Sequence, residues 1–164
     1  MKTILDFDLG FLKDSTALVD ERLEQLSREV EESPDPDSYG VYDSMEYISG
    51  FGFVACQTYA IGVVSMMKVK KSDALELGPK HRTGRTMIAL VNAAANYWKH
   101  SSEWSFETPS SQAEQTLTVI TSLGIDTTED YYPLGNMLHR ILAPHPARFS
   151  SLLPFLTQWR DCLQ

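Results

Sequence analysis

The chain has 164 residues, 43% hydrophobic and 22% charged, with a formal net charge of −8. This composition excludes collagen-like, low-complexity and disulfide-framework proteins, and the length suits a single domain, 1–164, burying about two thirds of its unfolded surface. The charge is uneven: residues 1–46 hold thirteen acids against Lys2, Lys13, Arg22 and Arg28, a local net of −9, and the remaining 118 residues come to +1.

In chain order, the opening run ILDFDLGFL is interrupted by Asp6 and Asp8, and no basic stretch precedes a long apolar one. No export signal is read there, so a reduced, cytoplasmic protein is expected. Residues 14–32 then place Leu18, Val19, Leu23, Leu26 and Val30 at helical spacing, with Asp14 or Ser15 as cap and Pro34 and Pro36 as stop. The loop SPDPDSYG follows. From Tyr47 to Met67 no residue is charged, a length that would span a bilayer and is followed by Lys68, Lys70 and Lys71. Polar Ser49, Gln57, Thr58 and Ser65, with three glycines, argue instead for a helix surrounded by other helices, over about 44–68. Asp43 and Glu46 suggest a capping box for it, and Gly52, Cys56 and Ala60 a small-residue stripe for close packing.

A basic connector, 68–85, leads into a helix over Thr86–His100. Ser110 or Ser111 with Glu114 opens the next helix and Gly124 closes it. A segment from about Asp126 to Leu142 tolerates Pro133 in its first turn and stops at Pro144-His145-Pro146. The final stripe is Phe149, Leu152, Leu153, Leu156, Trp159 and Leu163, begun or kinked by Pro154. No segment alternates at period two. The fold class expected is therefore all-α, a single compact bundle of about six helices around a buried central one.

The stretch NYWKHSSEW, Asn96–Trp104, is dense in rings and polar groups. On a helix, Met87, Ile88, Val91, Ala94, Ala95 and Trp98 form a core face, and Arg85, Asn92, Asn96, Lys99 and Glu103 lie beside it. Lys99 and Glu103, four apart, are expected to pair. Asn92 and Asn96, mediocre helix formers one turn apart, suggest hydrogen bonds to a neighbouring element or to a ligand. Within about residues 85–104, a helix with an Asn, an aromatic pair and Lys-His near its end resembles segments of bacterial HEPN-type helical domains. That resemblance implies a helical bundle of toxin–antitoxin and defence systems, many members being ribonucleases with an Arg followed by four to six residues and then a His. No arginine precedes His100 at that distance. Arg140 and His145 satisfy the spacing, but Pro144 interrupts the helix between them. The resemblance thus implies a non-cleaving member more readily than a nuclease.

Other chemistry is sparse. Lys80, Arg82 and Arg85 near a helix start form an anion-binding candidate, whereas the Gly78–Thr86 spacing does not fit a phosphate loop. His81, His100, His139 and His145 have no metal-type spacing, Cys56 and Cys162 read as two buried thiols with a disulfide left open, and no cofactor is implied. The leading expectation is a non-catalytic, acidic immunity or antitoxin-type inhibitor that occludes a basic toxin, with Asp35, Asp37, Asp43 and Glu46 as contacts and Tyr39 and Tyr42 as anchors. The alternative is a HEPN-like RNA-binding protein or ribonuclease using Asn96, His100, Arg140 and His145. A regulatory homodimer is the third reading.

Overall fold

The computed structural model describes residues 7–105 and 107–164, so the first six residues, read above for a leader, lie outside it. The described residues form seven α-helices and no strands: α1 Phe7–Glu32, α2 Val41–Met67, α3 Lys71–Ala74, α4 Met87–His100, α5 Ser111–Thr121, α6 Pro133–Leu142 and α7 Leu153–Asp161. Short 3-10 turns stand at Ser101–Glu103 and Phe149–Leu152. The six helices expected from sequence are present, and the seventh is the single turn α3 inside the basic connector. The all-α bundle is the fold.

Helix α2 is central, packed against α1, α4, α6 and α7, and α4 packs in turn against α5, α6 and α7. By length and composition α2 is apolar enough to cross a membrane; here it is the middle of the bundle, with Phe53 and Cys56 fully buried. Two glycines let rings lie directly on its backbone. A Cβ at Gly52 would fall 2.5 Å from the ring of Phe149, and one at Gly50 would fall 2.0 Å from the indole of Trp98. The small-residue stripe is therefore a seat for a ring from the C-terminal 3-10 turn, with buried Cys56 and Ala60 continuing it into the core. Phe53 meets Phe149 edge-on at 5.0 Å. Burying each such ring contributes about 1.5–3 kcal/mol.

Several helix boundaries differ from expectation for identifiable reasons. Helix α1 begins before Asp14, so Ser15 caps nothing and donates back to the Phe11 carbonyl at 2.8 Å. Gly10 costs an exposed helix only about 1 kcal/mol, while Leu12 buries against the bundle. The buried line is Leu12, Thr16 and Leu26, with Val19, Leu23 and Val30 half-buried beside it. Leu18, expected in the core, lies off that line and is 68% exposed. Helix α2 starts after Gly40, which sits in the left-handed region at φ 67 with no side-chain cap, so Glu46 falls past the first turn and does not form the expected box. Thr86 caps α4 and Ser110 caps α5, each accepting from the backbone N–H three residues on. Pro133 opens α6 rather than sitting inside a longer helix, because Asp126 and Asp130 close a separate turn in front of it. Cys56 is buried but Cys162 is exposed, and both are free thiols. Burial pushes the Cys56 thiol up to about 12, with nearby Asp20 adding to the effect.

Candidate functional site

Two polar regions stand out against this frame. The first is a seam between α2 and α4. Gln57, 3% exposed in the middle of α2, donates from Nε2 to Asn92 Oδ1 and to Asn96 Oδ1, both at 2.8 Å. Its Oε1 accepts from Lys99 Nζ at 2.7 Å. The orientation of all three amides follows from the lysine. An ammonium only donates, so Gln57 must turn its oxygen to Lys99 and its nitrogen to the asparagines. The Nδ2 groups of Asn92 and Asn96 are thereby left as donors pointing away from Gln57. This answers the question raised by the two asparagines: they bond a neighbouring helix and still carry unused donor capacity.

Lys99 is thus held by Gln57, not Glu103. The α-helix ends at His100 and continues as a tighter turn, which breaks the four-residue register, and Glu103 lies 3.5 Å from His100 Nδ1 instead. Lys71 of α3 is close enough to Lys99 that its ammonium is disfavoured, first by burial and then by the like charge. Neither lysine pairs with a carboxylate among the described residues. The seam borders an apolar cavity of about 560 Å³, whose walls include Ile61, Val64, Ile88 and Trp159. On its other side is a more polar groove of about 700 Å³ between α3, α4 and α5, which Arg85 also lines. Asn92 and Lys71 line both.

The second region is the acidic third. Its carboxylates divide into two sets. Asp20 of α1 accepts from the backbone N–H of Phe149 at 2.6 Å and of Ser150 at 3.0 Å. Glu46 of α2 accepts from Leu134 N–H at 2.7 Å and Gly135 N–H at 2.9 Å. Each satisfies two N–H groups at the start of a C-terminal helical element, where a helix leaves donors unpaired. Burial raises the Glu46 pKa, and those two hydrogen bonds oppose the shift. Glu46, expected to face a partner, is taken up inside the fold.

The remaining contact candidates lie in the loop before α2, as Asp35, Asp37 and Tyr39, and in the first turn of α2, as Tyr42 and Asp43. Asp37 accepts from the Tyr132 hydroxyl at 2.9 Å, and Tyr42 packs on the Tyr132 ring at 5.7 Å. That hydrogen bond pushes the Tyr132 pKa up to about 12. Asp35 accepts from Ser38 N–H and closes its own turn. Asp43 is exposed and Tyr39 is 72% exposed. A feature that periodicity alone hides lies away from that loop, on the N-terminal half of α1: Phe11 and Leu18 are 69% and 68% exposed. They share one helical stripe with the exposed acids Asp14 and Glu21, since positions 11, 14, 18 and 21 fall on one face.

The anion candidates Lys80, Arg82 and Arg85 are all exposed on the turn before α4. That turn is fixed by a buried residue which spacing rules overlooked. His81 Nε2 is 3.1 Å from the Arg140 carbonyl, which can only accept, so the proton sits on Nε2. Nδ1 then accepts from Thr83 N–H and Thr83 Oγ1. Burial lowers the His81 pKa, helped by the charge of Arg82. Thr86 Oγ1 meanwhile donates to the Leu75 carbonyl, tying the turn to α3.

The four residues of the ribonuclease alternative are not joined. Asn96 is in the seam, His100 faces Glu103, Arg140 donates to the Leu123 carbonyl at 2.9 Å, and His145 is exposed after α6. No hydrogen bond, ion pair or ring contact links any two of them among the described residues. Nor do the described residues contain a cluster of three or more His, Cys, Asp or Glu able to hold a metal. The chain matches no family model, and no curated protein or solved structure is similar to it.

Proposed function

We propose that the chain is a binding protein of the immunity or antitoxin type, which neutralises a basic protein partner, such as a nuclease toxin, by covering its active site. The observation that carries this reading is the outward stripe of α1, where Phe11 and Leu18 are exposed among carboxylates. Large apolar side chains rimmed by charge are what a protein interface needs: the apolar groups supply binding energy once desolvated, and the charges steer the encounter. Nuclease toxins are basic because they grip phosphates, so a negative surface both attracts them and competes for the same groove. The contact surface moves accordingly. Asp14 and Glu21 join Asp35, Tyr39 and Asp43, while Asp37 and Tyr42 act from beside Tyr132 and Glu46 drops out.

The test is co-expression with the product of the neighbouring gene, followed by pull-down and native mass spectrometry. A complex is expected that weakens at high salt and is lost on Phe11→Ala with Leu18→Ala. A complex indifferent to those changes, or RNA cleavage by the purified chain that stops on His145→Ala or His100→Ala, overturns the reading.

A further inference from the structure

We infer that the cavity between α2, α3, α4 and α7 binds a small amphipathic anion, a carboxylate on an apolar chain, with its head at Asn92 and Lys71 and its tail inside. This goes beyond the proposed inhibitor surface, which is formed by α1 and the turn that leads into α2.

Three observations converge. The cavity of about 560 Å³ falls within the roughly 300–1,000 Å³ typical of small-molecule sites. Its lining is aliphatic and aromatic from Ile61, Val64, Ile88 and Trp159, and Trp159 already spends its N–H on the Ala74 carbonyl at 2.8 Å. An occupant there has to be apolar. At the polar margin donors predominate: Lys68, Lys70, Lys71 and the Asn92 amide, with the Ser65 hydroxyl able to donate as well as accept. Lys99 forces Gln57 to turn its nitrogen to the asparagines, which forces Asn92 to present its own amide nitrogen outward, next to Lys71. Lys71 makes no ion pair among the described residues and is set against a second ammonium, Lys99. A carboxylate head accepts from the amide and the ammonium together and removes the repulsion between the two lysines. A cation or a neutral acceptor-poor head does neither.

Lys68 and Lys70 line the same cavity from the turn that follows α2. Lys68 occupies the left-handed region at φ 55, and its N–H returns to the carbonyls of Val64 and Ser65. This sharp reversal sets a basic rim around an apolar interior.

The test is isothermal titration calorimetry of the full chain with three probes: decanoate, 1-decanol and acetate. Decanoate is expected to bind saturably with one-to-one stoichiometry, and decanol and acetate at least about tenfold more weakly, since each lacks one half of the recognition. Lys71→Gln, at an exposed position, is expected to weaken decanoate about tenfold and leave decanol unchanged. Ile61→Trp, at a half-exposed wall position, fills the cavity and is expected to abolish decanoate binding, with circular dichroism checking the fold; Ser65→Trp serves if that variant does not fold. Decanol binding as tightly as decanoate, an unchanged affinity in Lys71→Gln, or no decanoate binding at millimolar concentration overturns the inference.

Discussion

The acidic third and the α2–α4 seam are built from opposite materials, and each does what its composition least suggests. Residues 1–46 carry a local net of −9 and read as a partner-facing surface, yet Asp20 and Glu46 are structural pins that hold the starts of C-terminal elements. The seam lies along the uncharged run Tyr47–Met67 of α2, yet it gathers a buried glutamine, two asparagines and two ammoniums that have no carboxylate partner among the described residues. Net charge along a sequence therefore says little about where polarity does structural service. What decides is whether a group meets an unpaired backbone donor or another buried amide on a different element.

The sharpest way to break this contrast is to remove the pins. Asp20→Ala and Glu46→Ala each strand two backbone N–H groups, and each is expected to destabilise the fold by about 1–3 kcal/mol, read as a shifted midpoint in urea denaturation. The two sites anchor different elements, so their losses are expected to add. On the other side of the comparison, Gln57→Leu keeps the volume but leaves Asn92, Asn96 and Lys99 unpartnered, with an expected loss of about 1–2 kcal/mol. Gln57→Glu is expected to be milder, because a carboxylate still accepts from Lys99.

A smaller effect separates Glu46 from its exposed neighbours through pH. Its pKa in the folded state lies above the ordinary 4.5, so the native protein holds that proton more tightly than the unfolded chain. Folding stability attributable to Glu46 is thus expected to fall as pH rises through the window just above 4.5, and Glu46→Gln to flatten that slope in a series of denaturation curves. His81 acts with the opposite sign. Its lowered pKa means stability present above 6.5 and lost as pH falls below it, and His81→Gln is expected to remove that loss. The smallest effect is expected from reversing Asp14, Glu21 and Asp43 to lysine, each within about 0.5 kcal/mol by the same denaturation measurement, because these carboxylates are exposed. A large loss there would erase the distinction between pins and surface.

Much of the architecture was legible one element at a time. The cap at Ser110, the helix start near Thr86, Pro154 in the first turn of α7 and the apolar run of α2 are local signals, because a helix end is decided by the few residues that satisfy or break its own backbone bonds. The asparagine pair was also visible as an anomaly, since poor helix formers repeated on one face need a partner. The failures share a cause. Spacing alone puts Leu18 in the core, gives Glu46 to the cap of its own helix and pairs Lys99 with Glu103; the actual position or partner in each case depends on how the helix packs or ends against other elements. His81 carried no signal at all, since its acceptor is the carbonyl of Arg140, fifty-nine residues away.

The amino-acid sequence by itself determined that this protein is helical, where most of its helices run and which of them lies at the centre of the bundle, because propensity, capping and periodic burial act over a few residues. Only the tertiary structure decided which carboxylates are pins and which are free, that Phe11 and Leu18 face outward, and that one lysine orients three amides beside an apolar cavity. Those outcomes depend on which backbone donors and side chains arrive together in space, and long-range packing alone sets that.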